Sequence, residues 1–313
     1  MAQKVDNERI GQFDILNEIS WGGMARILLV TNNGQEFALK ISRTSGSKEQ
    51  IEINNVAIRK EAELLRKMRH RRIVQIFPIL AQDEIGKQAY YARAEEKNPA
   101  PWYYIMEYLR GGTLEEYVKK YGSMEVPEAC NIAGNMVLAL FELKRKKFTH
   151  NDVSARNVIF RSKVIRDEPF DPVLIDFGAA VGVKHAKDEA GAWYIMAPER
   201  IQMAEGKDPP EKITRIDPTK FDIWSLGVLL YYMLTKRYPF SAIGTRRLTS
   251  QILNDTPTST QKYNADIPDE VDKFVIDGCL CKDAEGRPTL EEVGIFLKAY
   301  GGGRVKAVTT PIE

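Results

Sequence analysis

The stretch HNDVSARN, His150 to Asn157, decides how this chain is read. It sets an aspartate, Asp152, five residues before an asparagine, Asn157. An aspartate can accept a hydroxyl proton, and an amide oxygen can take a hard cation. A tight loop here can offer both to one ligand. Downstream, Asp176-Phe177-Gly178 follows three apolar residues, Val173-Leu174-Ile175. That order puts a second carboxylate at the mouth of a short strand, with a glycine to turn the chain. Asp-Phe-Gly alone recurs by chance. A base and two hard oxygen ligands within 25 residues is a far less accidental set.

Upstream, the pattern is strand-like. Phe13 to Ile19 and Arg26 to Thr31 are partly alternating apolar runs, separated by Gly22-Gly23; Gln35 to Ile41 follows the turn signal Asn32-Asn33-Gly34. A Gly-Gly turn between strands lets backbone N–H groups approach phosphates, although such a turn is more often a plain hairpin. Lys40 ends an apolar run. Residues 51 to 69 then change to helical spacing, with Ile58, Ala62, Leu65 and Met68 on one side and Glu61 beside them. A lysine that binds phosphates needs a carboxylate to orient it, and Glu61 is placed to serve; the alternative is an exposed helix glutamate. Ile73 to Leu80 and Trp102 to Tyr108 are expected as two further strands, with a long polar segment, Asp83 to Pro101, between them.

After residue 110 the spacing predicts helices over Val126 to Lys147, Phe221 to Thr235, Asp269 to Leu280 and Pro288 to Tyr300, the last with Pro in its first turn. Short strands are expected at Val158 to Phe160 and Val173 to Ile175. The tail after Gly301-Gly302-Gly303 is expected to be disordered.

In order and over nearly the whole chain, these residues resemble the protein kinase family. Lys40 in Phe37-Ala38-Leu39-Lys40 matches its strand lysine and Glu61 its helix glutamate. Met106-Glu107-Tyr108-Leu109 with Gly111-Gly112 matches the hinge. Ala197-Pro198-Glu199, Asp222 in Phe221 to Gly227 and Arg287 match the substrate-side motifs. The Gly-Gly-Met loop and Phe221 to Gly227 are most similar to the bacterial eukaryotic-like Ser/Thr kinases. The resemblance implies a bilobal α+β fold. Its parts are an extension (1–12), a strand-rich lobe (13–107), a helical lobe (108–300) and a tail (301–313). It implies ATP and Mg²⁺, with Mn²⁺ possible, bound between lobes, and transfer of the γ-phosphate to a protein hydroxyl. Asp152, Arg156, Lys40 and Glu61 are then the catalytic group. Ile19, Gly22, Gly23, Ile27, Ala38, Lys40, Glu107, Leu109 and Ile159 line the nucleotide, and Asn157 and Asp176 hold the metal.

Departures from the family pattern carry information. The glycine loop reads Ser20, Gly22, Ala25, with bulky Trp21 at its tip. Asn151 stands where an arginine is usual, and Tyr194 is the one hydroxyl-bearing residue between Gly178 and Ala197. Phosphate acceptor and phosphate reader are missing together, so activation-segment phosphorylation is not expected to switch this chain. Ser154 replaces a lysine, Ala192 replaces its threonine partner, and Arg156 is placed as in many tyrosine kinases. Ser/Thr specificity is favoured, with tyrosine or dual specificity and a nucleotide-binding pseudokinase as alternatives. Segments Asp83 to Pro101, Arg161 to Pro172 and Gln202 to Lys220 exceed the family's spacing.

Bulk properties fit a soluble two-lobed protein. The chain has 313 residues, a formal charge of +2, and 43% hydrophobic and 28% charged residues. No nucleic-acid or membrane partner is expected, and local basic runs such as Lys144 to Lys147 read as solvated helix ends. Three cysteines and three histidines support neither a disulfide framework nor a zinc site. The polar N-terminus is no signal segment, no stretch reaches ~18 apolar residues, and a cytoplasmic protein is expected.

Overall fold

The computed structural model describes residues 8–82, 88–164, 168–182, 193–206 and 216–302. The chain divides into two compact units, with the boundary between Leu109 and Arg110.

The first unit is built on a seven-stranded antiparallel sheet. Its strands are β1 (Arg9–Ile10), β2 (Phe13–Trp21), β3 (Ala25–Asn32), β4 (Gln35–Ser42), β5 (Ile76–Phe77), β8 (Ala92–Arg93) and β9 (Trp102–Glu107). The order is β1-β2-β3-β4-β9-β5, with β8 also on β9, and β6 (Ile79–Gln82) pairs with β7 (Gln88–Ala89) separately. Period-two alternation sorts the side chains. Leu28, Val30, Phe37, Leu39, Ile41, Tyr103 and Ile105 form the core of one face. Ile27 and Ala38 therefore point to the other face with Lys40, the register pairing Ile27 with Lys40 and Leu29 with Ala38. Helix α1 (Lys48–Leu65) packs on that face. Ser47 caps it, its side chain accepting from the Gln50 N–H at 3.1 Å.

The run Ile73 to Leu80 is not one strand. Pro78 has no N–H to donate and separates β5 from β6. Likewise, the segment read as a long polar loop holds β7 and β8; its residues 83–87 lie outside the described ones.

The second unit is helical. It contains α2 (Leu114–Tyr121), α3 (Val126–Arg145), α4 (Pro198–Ala204), α5 (Thr219–Thr235), α6 (Thr245–Asn254), α7 (Asp269–Lys273) and α8 (Leu290–Tyr300). Every residue of α5 is buried, which is why its sequence is apolar all round. Expected as one helix, Asp269 to Leu280 is α7 followed by a π-helical turn, Phe274–Cys279. Pro288 lies before the N-cap of α8 rather than in its first turn; Thr289 caps that helix in a reciprocal box with Glu292. Two two-stranded antiparallel sheets lie in this unit: β10 (Phe148–Thr149) with β13 (Val181–Gly182), and the hairpin β11 (Val158–Phe160) with β12 (Pro172–Leu174). Residues 183–192, which include Ala192, and the tail from 303 onward lie outside the described residues.

Candidate active site

In the first unit, Lys40 and Glu61 meet. Nζ lies 2.7 Å from Oε2 and 2.9 Å from Oε1, and both side chains are almost fully buried. The helix carries Glu61 to the face on which Lys40 projects, so the exposed-glutamate alternative falls. Burying two charges is sustained only by such direct pairing. Trp21 to Ala25 form the turn between β2 and β3, closed by the Gly22 N–H donating to the Ala25 carbonyl at 2.8 Å. A Cβ at Gly23 would meet nothing within 4 Å, so this part of the turn lies open. Ile19 and Trp21 are exposed, Ile27 is half-buried and Ala38 buried. Glu107, at the end of β9, is fixed from both sides by Gln75. Its N–H donates to the Gln75 carbonyl at 2.9 Å, and its Oε1 accepts the Gln75 N–H at 3.0 Å. Leu109 is half-buried.

In the second unit, the loop of the opening stretch is held from below. Asp222, on the first turn of α5, accepts the backbone N–H groups of His150 at 3.0 Å and Asn151 at 2.7 Å. His150 is fully buried. Its Nδ1 accepts the Asp152 N–H at 3.2 Å, which leaves the proton on Nε2, 3.3 Å from the Ile175 carbonyl. Burial holds this imidazole down at about 4, partly offset by Asp176 and the Ile175 carbonyl, so it is neutral at pH 7. Its ring packs edge-on against Phe177 at 4.7 Å.

Asp152 is half-buried, and Asn157 binds it twice. Nδ2 donates to the carboxylate Oδ2 at 2.8 Å and to the carbonyl at 2.9 Å. Both amide protons are thereby used, leaving Oδ1 as the amide's group for a cation. The β11–β12 hairpin brings the second candidate oxygen ligand alongside. Val158 pairs with Leu174, and the Ile175 N–H donates to the Asn157 carbonyl at 2.8 Å, so Asp176 follows one residue beyond. Asp176 has φ +59°, a left-handed conformation that aspartate tolerates, and its carboxylate accepts the Gly178 N–H at 3.3 Å. Ile159 is half-buried in β11, bridged to Thr113. Among the described residues no three His, Cys, Asp or Glu side chains are grouped to hold a metal. Two hard oxygens suit a magnesium ion that completes its shell with phosphates and water, so Asn157 and Asp176 fit the implied metal.

Asn151 also has φ +64°, a region asparagine enters readily. Its Nδ2 donates to Thr149 Oγ1 and to the Ala179 carbonyl, each at 3.2 Å, and the side chain is buried. Ser154 is buried too, whereas Arg156 is exposed, its guanidinium 5.1 Å from the Tyr194 ring centre. Tyr194 in turn packs on Tyr238 at 4.8 Å. Farther out, Glu199 and Arg287 form a buried bidentate pair at 2.6 and 2.7 Å.

Sequence reasoning passed over Arg43, Asn54 and Asn55. Two adjacent asparagines inside an amphipathic helix were the visible signal, because such residues are buried only with partners.

A sheet carrying a buried lysine–glutamate pair, and a helical unit whose Asp-Asn loop faces an Asp-Phe-Gly hairpin, define the two parts of a protein kinase domain. The chain belongs to the protein kinase domain family, which matches residues 13–294. It is 26% identical over 273 residues to the serine/threonine-protein kinase PrkC of Bacillus subtilis, covering 85% of this chain and 37% of that protein. It is 28% identical over 252 residues to the serine/threonine-protein kinase ppk25 of Schizosaccharomyces pombe, covering 78% and 51%. It is also 28% identical over 291 residues to the serine/threonine-protein kinase RAD53 of Saccharomyces cerevisiae, covering 88% and 32%. The chain thus spans from about a third to about half of these relatives' length. No helix among the described residues is long and apolar enough to cross a membrane.

Proposed function

We propose that this chain transfers the γ-phosphate of ATP to serine or threonine hydroxyls of protein substrates, and that it does so without a phosphate on its own activation segment. The observation that carries the reading is the intact pairing of Asp152 with Asn157 beside Asp176. Asp152 accepts the hydroxyl proton of the acceptor as its oxygen attacks phosphorus. Asn157 keeps the Asp152 carboxylate aimed and gives its Oδ1 to the metal, with Asp176 as the other ligand. Magnesium bound with the nucleotide supplies charge neutralisation on the phosphates. Lys40, oriented by Glu61, holds the α- and β-phosphates, and Arg156 supplies positive charge toward the γ-phosphate in place of the missing lysine. The neutral, buried His150 positions Asp152 through its N–H. Most of the rate gain comes from positioning and fixed charge. The adenine side is assigned to Ile19, Ile27, Ala38, Glu107, Leu109 and Ile159, and the phosphate turn to Gly22 and Gly23.

Independence from activation-segment phosphate is supported by Asn151. Its short amide is buried and bonded to Thr149 Oγ1 and the Ala179 carbonyl, so position 151 presents no cation to a phosphate. The exposed Arg156 favours tyrosine transfer as the second reading. The test is transfer of labelled phosphate from ATP to the chain itself and to a generic protein, with Asp152→Ala as control, then phosphoamino-acid analysis. Label on serine or threonine that is lost in the control is expected. Label on tyrosine would select the second reading, and no transfer at all would leave a nucleotide-binding pseudokinase.

A further inference from the structure

Arg43, the residue after β4, grips the phosphate turn from both arms. Its N–H donates to the Met24 carbonyl at 2.9 Å, and its Nη1 donates to the Gly22 carbonyl at 2.9 Å. Its guanidinium also lies over the Trp21 ring, 5.5 Å from the centre. An arginine stacked on an exposed tryptophan is by itself a weak surface contact. Here the same residue is held from behind. The Arg43 carbonyl accepts Asn54 Nδ2 at 3.1 Å, and Asn54 Oδ1 accepts Gln50 Nε2 at 3.1 Å. Asn54 is 1% exposed. The next residue, Asn55, is buried as well, and its Oδ1 accepts Ser42 Oγ at 2.6 Å. Two buried amides thus fasten α1 to the end of β4. Asn54 and Glu61 are seven residues apart, two turns along one face of α1.

We infer that Arg43 is a positioning residue for the nucleotide phosphates, and that its link through Asn54 couples the Trp21–Ala25 turn to the helix that carries Glu61. This rests on the kinase reading above. Small residues usually leave such a turn mobile; here Ser20 and Ala25 stiffen it, and one residue ties its two arms together, the Arg43 backbone N–H on the Met24 carbonyl and its guanidinium on the Gly22 carbonyl. A turn held in place before ATP arrives presents its N–H groups without an ordering cost at binding. The same link makes α1 and the turn move as one, so nucleotide binding and Lys40–Glu61 pairing favour each other. Lysine at position 43 can reach the Gly22 carbonyl but cannot lay a planar group over Trp21, so it replaces arginine incompletely.

The experiment titrates ATP into the whole chain, following Trp21 fluorescence with Trp21→Phe as blank, alongside steady-state kinetics. Arg43→Ala is expected to raise the Kd and KM for ATP about tenfold while changing kcat less than threefold and leaving KM for the protein substrate unmoved. Arg43→Lys should recover part of that loss. Asn54→Ser, which releases the Arg43 backbone carbonyl, should weaken ATP in the same direction. ATP affinity of Arg43→Ala equal to wild type would overturn the inference and leave the kinase reading standing. A wild-type chain that binds no ATP would overturn both.

Discussion

Asp222 accepts the backbone N–H of Asn151 at 2.7 Å, joining the first turn of α5 to a loop 71 residues earlier. Burial pushes the Asp222 carboxyl up to about 6, against the pull of the Asn151 and His150 N–H groups. The same burial pushes His150 down to about 4. These neighbours therefore load the pH dependence of folding with opposite signs. The folded chain binds the Asp222 proton more tightly than the unfolded chain does, so that group's contribution falls as pH rises from about 4 to 6. The unfolded chain binds the His150 proton more tightly, so its contribution rises from about pH 4 to 6.5. The two largely cancel in the native protein. Asp222→Asn should unmask a stability that rises with pH across that window, and His150→Gln one that falls. Urea midpoints measured from pH 4 to 7 check this; parallel profiles for both variants would sink it.

Lys40 and Glu61 make a second coupled pair, with side chains 10% and 3% exposed. Removing one partner of a buried pair costs about 3–5 kcal/mol, much of it the stranded charge. Lys40→Met should abolish phosphate transfer while the chain still folds. Glu61→Ala should lower kcat/KM about a hundredfold. Lys40→Met/Glu61→Leu should be more stable than Lys40→Met alone, since no charge is left behind. Unchanged turnover in Lys40→Met would refute the phosphate-holding role.

Phosphate independence makes a separate claim. Phosphatase treatment should leave activity within twofold, and Tyr194→Phe should do the same, because Phe keeps the ring beneath Arg156. Asn151→Arg should cost about 2–3 kcal/mol, since it puts an unpaired cation in a buried site. It should not create a response to phosphorylation. Mass spectrometry after incubation with ATP decides the matter: abundant phosphate between residues 179 and 196 that raised activity would end the idea.

Much of this was legible in the sequence because it rests on local rules. Helix α5 is buried all round and reads as a predominantly apolar run from Phe221 to Thr235. The position of Lys40 in β4 follows from alternation, and that of Asp176 just past β12 from the apolar run before it and the glycine after it. Strands β7 and β8 have two residues each and show no period, and the break at Pro78 lay in plain view within a run that otherwise looked continuous. What distance along the chain hides is partnership. The bond from Asp222 to Asn151 has no periodic trace, and Asp222 was reached through its resemblance to a known motif. Arg43 carries no sequence pattern that sets it apart from any charge after a strand. Asn54 and Asn55 broke the helix pattern visibly, yet what satisfied them could be learned from coordinates alone.

Arg287 and Glu199 offer the clearest test of geometry over charge. The guanidinium forks onto both carboxylate oxygens at 2.6 and 2.7 Å. It donates further to the Lys220 and Cys281 carbonyls, each at 2.9 Å, and lies 5.0 Å from the Trp224 ring centre. Arg287→Ala strands a buried carboxylate and two carbonyls, and should cost about 3–5 kcal/mol. Arg287→Lys keeps the charge but loses the fork and the stacking, and should still cost about 2 kcal/mol. Glu199→Gln keeps one acceptor and the packing, and should cost least. Urea denaturation followed by tryptophan fluorescence should therefore rank the midpoints Glu199→Gln, then Arg287→Lys, then Arg287→Ala, in descending order. A lysine variant as stable as wild type would mean that charge alone, not the planar fork, holds α4 to the segment before α8.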